Sequence, residues 1–280
     1  MRQFISALAL IFFCAISVNA QPLKLPPVEV DAMAALKASP RHGEWVKYDA
    51  GQGDKVDAWV VYPERGDKAP VVILIHEIFG LTDWARATAD QLAAEGFLVI
   101  APDFLSGKGE GGAGTPSFKG DDVRTAIRNL DPAELKRRLD ATAAWATSQP
   151  AGSKKYGVVG FCWGGGVAFN WATQQPELGA SIVYYGVSPK AETLSTIKAP
   201  VLGLYGGDDA RVTNTVPPTQ EEMKRLGKRY DVKIYEGAGH AFLRQQNGMN
   251  GANLKAATDG WARTVAFLKE TLEEKTNSLP

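Results

Sequence analysis

Cysteine is nearly missing from this chain: of 280 residues, only Cys14 and Cys162 carry a thiol. That excludes a disulfide framework and a cysteine-based zinc site, both of which need more. Histidine is almost as sparse, with His42, His76 and His240 alone. No His-x-x-x-His pair and no Walker loop is present, so no metal or organic cofactor is indicated. Basic and acidic residues number 31 each, without a basic stripe, an acidic tail or a low-complexity tract. Nucleic acid and anionic membranes are therefore not expected as partners. Beyond residue 20 no apolar run is long enough to span a bilayer.

The first 20 residues read as a secretory signal. Arg2 supplies the charge, residues 8–16 the apolar core, and Val18-Asn19-Ala20 a small-residue cleavage site before Gln21. Cys14 lacks the small residues in front of it that a lipoprotein site shows. The expected product is exported, periplasmic or secreted, with Cys162 as its single thiol and a monomer favoured. An oxidising compartment normally pairs cysteines. A lone one is either an inert buried side chain or a reactive group kept for its chemistry.

Residues 21–40 form a mixed, proline-containing lead-in, expected as a strap over the surface, and a single domain fills residues 41–280. Strand-like runs fall at 56–62, 71–75, 97–101, 156–160, 181–185, 201–205 and 232–235. Several are solidly apolar, as strands covered by helices on both faces should be. Ala85, Ala89, Leu92 and Ala93 share one helical face, as do Leu254, Ala257, Trp261, Val265, Leu268 and Leu272. The alternation defines an α/β class with a mostly parallel, doubly wound sheet. Residues 106–122 break the pattern with six glycines. Gly107, Gly109 and Gly112 fit G-x-G-x-x-G but do not run from a strand turn into a helix, so a dinucleotide site is rejected. A flexible excursion at the site's rim is expected, as a lid or as plain loop.

The most informative segment is Gly160-Phe161-Cys162-Trp163-Gly164-Gly165, directly after the apolar Tyr156-Gly157-Val158-Val159. A buried strand runs into a sharp turn and then into a helix opening at Trp163. The glycines on either side leave room for a strained turn that pushes one side chain outward. This is the nucleophile elbow of α/β-hydrolases, with cysteine where serine is usual.

Cys162 as nucleophile needs a base, and the base needs an acid to orient it. His42 is expected well before the sheet begins. His76 closes the strand at 71–75 and reads as a packed structural residue. His240 follows the last strand, and the acid should follow the strand before it, where Asp208 and Asp209 are both chemically adequate. One oxyanion donor is the N–H of Trp163 at a helix N-terminus. The other comes from His76-Glu77-Ile78-Phe79-Gly80, at Ile78 or, failing that, Phe79. Glu77 sits oddly there, because a carboxylate beside an oxyanion site opposes the developing charge unless it is paired, neutralised or movable. An ordinary salt bridge at a strand end is the alternative.

Taken together, Gly-Phe-Cys162-Trp-Gly-Gly, His-Glu77-Ile-Phe-Gly, Gly-Gly-Asp-Asp209-Ala-Arg-Val and Ala-Gly-His240-Ala-Phe resemble the dienelactone hydrolase family (carboxymethylenebutenolidases), over roughly residues 54–268. The resemblance implies an α/β-hydrolase fold that cleaves a small ester or lactone through a cysteine acyl-thioester. It implies Cys162 as nucleophile, His240 as base and Asp209 as acid. Glu77 would hold the resting thiol and swing to take its proton once substrate binds, so the thiolate forms only then. A neutral thiol is also the safer form in an oxidising compartment.

The resemblance further implies Arg244 as one of two arginines gripping a substrate carboxylate, with Phe79 a further candidate for substrate contact. The second arginine is missing from its place after Pro102-Asp103, which leaves Lys108 and Arg124 as substitutes. Export also departs from the family's cytoplasmic chlorocatechol chemistry. Two rival readings follow: a general carboxylesterase or thioesterase, and a non-hydrolytic thiol-dependent binding module on the same scaffold.

Overall fold

The computed structural model describes residues 23–273; the expected signal at 1–20 lies outside them. Eight strands build one sheet: β1 (Gly43–Asp49), β2 (Lys55–Val61), β3 (Ala69–Ile75), β4 (Leu98–Pro102), β5 (Gly152–Phe161), β6 (Ala180–Tyr184), β7 (Val201–Gly206) and β8 (Tyr230–Tyr235). Their order is β1-β2-β4-β3-β5-β6-β7-β8. β1 and β2 pair antiparallel, as do β2 and β4, and every later pair is parallel. The helices are α1 (Ala32–Ala38), α2 (Asp83–Ala94), α3 (Asp122–Arg128), α4 (Pro132–Ser148), α5 (Trp163–Ala172), α6 (Ala210–Thr213), α7 (Val216–Arg225) and α8 (Ala252–Leu272).

The period-two alternation of strands sorts the central side chains onto two faces. Val72, Leu74, Val99, Val159 and Ile182 pack with α2 and α8 on one. Val71, Ile73, Ile100 and Val158 pack with α4 and α5 on the other. Both faces are dry, which is why these strands read as continuous apolar runs. The sheet is doubly wound, as expected. All seven expected strands overlap observed ones.

β1 corrects the expectation for His42, because the sheet starts at the next residue rather than well downstream. Gly-Glu-Trp-Val-Lys-Tyr-Asp is an antiparallel edge strand in which only Tyr48 is buried, so it lacks the apolar run that marks the central strands. Leu254 is a second correction. It is 47% exposed, whereas Ala257, Trp261, Val265, Leu268 and Leu272 are buried. In the first turn of α8 the inward position goes instead to Asn253, which accepts from the Gly239 N–H and donates to the Gln245 carbonyl.

The lead-in lies across the surface and is held at several points. Gln246 Nε2 donates to the Pro26 carbonyl and Trp84 Nε1 to the Pro27 carbonyl. Among the described residues no helix is long and apolar enough to cross a membrane.

Candidate active site

The parallel strands end at one rim of the sheet, where ligands of open α/β folds bind. β5 ends at Phe161 and α5 begins at Trp163, leaving Cys162 alone in the turn at φ 56° and ψ −116°. A non-glycine residue there is strained and persists only where the surroundings over-determine it. The glycines supply those surroundings. A Cβ on Gly160 would lie 2.0 Å from the Gly164 carbonyl oxygen, and one on Gly164 2.4 Å from that of His76. Strand, turn and helix can approach this closely only without side chains. Cys162 is held by its own N–H to the Tyr184 carbonyl and by its carbonyl to the Gly166 N–H.

The N–H groups of both Trp163 and Ile78 reach the cysteine sulfur. They come from α5 and from the loop after β3, the two sources expected. His76 anchors that loop: it is fully buried, its Nδ1 lies 2.7 Å from the Glu77 carbonyl, and its ring stacks on Trp163. It is a packing residue, as read from the sequence.

β7 ends at Gly206, and Asp209 follows, buried, while Asp208 faces solvent. The His240 loop after β8 brings Nδ1 to 2.5 Å from Asp209 Oδ2. Ala241, at φ 61°, turns the chain sharply just past the histidine. His240, Cys162 and Glu77 all line one cavity of about 770 Å³.

Glu77 is fully enclosed. Arg244 Nε lies 2.6 Å from its Oε2, yet neither carboxylate oxygen nor that Nε has an aligned hydrogen bond. The contact is an ion pair off the N–H axis. Burial dominates and pushes the Glu77 carboxyl up to about 7, against the opposing pull of Arg244. Burial, followed by the nearby Glu77 charge, raises the Cys162 thiol above its ordinary value. Both causes favour the thiol over the thiolate.

Tyr185 was not singled out in the sequence, where it reads as the end of a strand. It lines the cavity at φ 40°, sets its ring 5.0 Å from that of His240 at a tilt of 60°, and buries a hydroxyl beside Glu77 without an aligned hydrogen bond.

The arginines decide the cavity's charge. Arg124, Arg128, Arg211 and Arg244 line it, with Glu77 the one carboxylate among the described lining residues. Arg124 and Arg244 each place a guanidinium 5.0 Å from the Phe79 ring centre, a cation–π arrangement that gathers both at one end. Lys108 points elsewhere and pairs with Glu134.

The glycine-rich excursion is pinned at Thr115, whose N–H and hydroxyl both bond the Asp103 carboxylate. The Thr115 hydroxyl also accepts from the Leu81 N–H, beside Gly80. Beyond that anchor the chain delivers α3, and with it Arg124 and Ile127, to the cavity wall. Among the described residues no group of three His, Cys, Asp or Glu side chains could hold a metal ion.

A doubly wound sheet, a strained elbow between strand and helix, and a histidine–aspartate pair from the following strands define an α/β-hydrolase. Comparison with known proteins narrows the class. The family model described as "Dienelactone hydrolase family" matches residues 56–272, and the chain belongs to that family of hydrolases. The chain is 32% identical over 253 residues to a "putative carboxymethylenebutenolidase" of Saccharolobus solfataricus, covering 79% of this chain and 96% of that protein. A protein of the same description from Salmonella typhimurium is 30% identical over 233 residues, covering 78% and 84%. The crystal structure of a "putative dienelactone hydrolase" from Klebsiella pneumoniae superposes with a TM-score of 0.70 at 27% identity, covering 82% of this chain and 99% of that one.

Proposed function

We propose that this protein is an exported hydrolase that cleaves an anionic ester or lactone through an acyl-thioester on Cys162. The observation that carries the reading is the convergence on one sulfur: a left-handed elbow presents it, two backbone N–H groups reach it, and a His240–Asp209 pair shares its cavity.

The substrate carboxylate meets Arg244 and Arg124 at the Phe79 end and weakens the hold of Arg244 on Glu77. Glu77 takes the thiol proton, and the thiolate attacks the ester carbonyl carbon. The oxyanion forms against the N–H groups of Ile78 and Trp163, which stabilise charge most where water is excluded. Collapse breaks the C–O bond, and an enolate or aryloxide leaves as the anion. His240, held by Asp209, then takes a proton from the deacylating water. The thioester opens, the sulfur recovers its proton from Glu77, and His240 passes its own to the product anion. Thiolate is itself a good leaving group, so enol-lactones and activated esters turn over faster than plain alkyl esters.

The cavity also favours a second substrate reading. Ile127, Leu130, Leu135 and Val167 give it an apolar arm, and about 770 Å³ is space of the order that drug-sized ligands fill. An anionic ester with an apolar extension fits this volume better than a bare dienelactone.

The test is hydrolysis of a dienelactone, an activated aryl ester and a carboxylate-bearing aryl ester by wild type and Cys162→Ala. Turnover of the carboxylate-bearing ester that vanishes in the variant supports the reading. Turnover of neutral esters alone assigns a general esterase. No Cys162-dependent turnover with a reduced thiol assigns a binding module instead.

A further inference from the structure

Arg244 is a wall between two spaces. On its inner side is the catalytic cavity; on its outer side is a small depression of about 180 Å³ lined by Val28, Glu29 and Gln245. Its Nε faces Glu77 within, and its Nη1 donates to the Glu29 carboxylate without. The Glu29 N–H also donates to the Arg244 carbonyl, at 3.4 Å. Glu29 therefore grips both the backbone and the guanidinium of the residue that meets the substrate's charge.

The strap that carries Glu29 is not free to wander. Gln246, two residues past Arg244, holds the Pro26 carbonyl, and Trp84 holds the Pro27 carbonyl. Glu29 lies outside residues 56–272, the span shared with the family. The pairing ties the lead-in to a residue of the matched span.

The charges make the pairing consequential. A single guanidinium faces two carboxylates of the chain before any substrate arrives. Arg244 is nearly buried, whereas the Glu29 side chain is 54% exposed, so water and salt screen the outer contact more than the inner one. We propose that Glu29 is a positioning and specificity-determining residue: from outside the cavity it holds the Arg244 guanidinium and offsets its charge, and so sets how strongly the site prefers an anionic substrate over a neutral one. The proposal rests on the functional reading above for the substrate. It rests only on geometry for the control of Arg244.

The test compares alkylation of Cys162 by iodoacetate, which carries a carboxylate, and by iodoacetamide, which does not. In both, the sulfur forms a bond to carbon and iodide leaves. The state of the thiol therefore affects both rates alike, and their ratio isolates recognition of the anion. The full chain is used, with the label read on the peptide that contains Cys162.

Glu29→Gln is expected to raise the iodoacetate-to-iodoacetamide ratio about three-fold, the size of an exposed pair's contribution. The gain should shrink in high salt. Glu29→Asp keeps the charge and should stay near wild type. Asp31→Asn removes an exposed acid from the same strap that makes no contact with Arg244, and should leave the ratio unchanged. In turnover, Glu29→Gln should lower KM for the carboxylate-bearing ester about three-fold and leave its neutral analogue alone. An unchanged or lower ratio in Glu29→Gln overturns the proposal. So does an equal rise in Asp31→Asn, which would reduce the effect to general surface charge. If no ester is turned over, the hydrolase reading falls while the alkylation ratio still decides the role of Glu29.

Discussion

Two buried arginines in this molecule live under opposite rules. Arg138, on α4, spends its whole fork on the protein. Nε and Nη2 bind the Asp54 carboxylate, Nη1 the Phe104 carbonyl and Nη2 the Ser106 carbonyl, all within 2.9 Å. Arg244, at the cavity, makes one aligned side-chain hydrogen bond among the described residues, to Glu29, and an off-axis ion pair with Glu77. The first network is saturated and holds the start of the glycine-rich excursion in place. The second keeps donors in hand, next to a carboxylate and a phenol that are also short of partners. Buried polar groups are ordinarily satisfied. A group left wanting, at a rim already strained at Cys162, Tyr185 and Ala241, marks where the fold gives up stability for chemistry.

The sharpest way to break this comparison is to separate activity from stability. Cys162→Ala should cut kcat/KM by about 10⁴-fold or more while leaving the thermal midpoint within a few degrees, measured by ester assay and calorimetry. Arg138→Ala should do the reverse. Removing one partner of a buried pair costs about 3 kcal/mol, tempered here because Arg137 also binds Asp54. Urea unfolding should show that loss, with kcat of the folded fraction near wild type. A kcat collapse beyond the unfolded fraction would erase the distinction between the two arginines.

Glu77→Gln tests both sides at once. Its kcat should fall about 10²-fold, the usual worth of a positioned base. Its stability should move the other way. The Glu77 carboxyl titrates at about 7 in the folded protein, above its ordinary value of about 4.3, so the native state resists ionising it. That resistance is absent below pH 4 and grows until about pH 7. The variant should therefore match wild type in urea at pH 4 and exceed it at pH 8, by about 3.5 kcal/mol at most. In wild type, the acid limb of kcat/KM should fall near pH 7, where Glu77 gains its proton. The smallest effect belongs to Arg124→Ala, which should raise KM for a carboxylate-bearing ester about five-fold and leave its neutral analogue unchanged. Equal changes for both esters would remove Arg124 from substrate recognition.

Much of this was legible along the chain because local chemistry wrote it there. The elbow needs glycines at fixed offsets from Cys162, and the central strands need both faces dry. The order of strands then places His240 and, one strand earlier, the Asp208–Asp209 pair. What escaped lacks a local mark. β1 has one wet face, so its pattern resembles loop. The choice of Asp209 over Asp208 rests in the sequence on resemblance alone, and in the structure on which side chain is buried. Arg124 was named beside Lys108, but its reach to Phe79, which separates the two, comes from a helix some way along the chain. Glu29 meets Arg244 across 215 residues. Contacts of that separation exist only once the sheet has been assembled. Tyr185 carried a weak signal: a second tyrosine at the end of a strand beside the one that leads to Cys162, where rim residues face the ligand.

The most direct measurement is rapid quench of wild type during turnover of a slow activated ester, followed by mass analysis of the peptide containing Cys162. A transient acyl mass on Cys162, chased by water and enriched when His240 is replaced by alanine, is the expected result. Turnover that proceeds with Cys162 unlabelled, or that survives in Cys162→Ala, would contradict the assignment of this sulfur as the nucleophile.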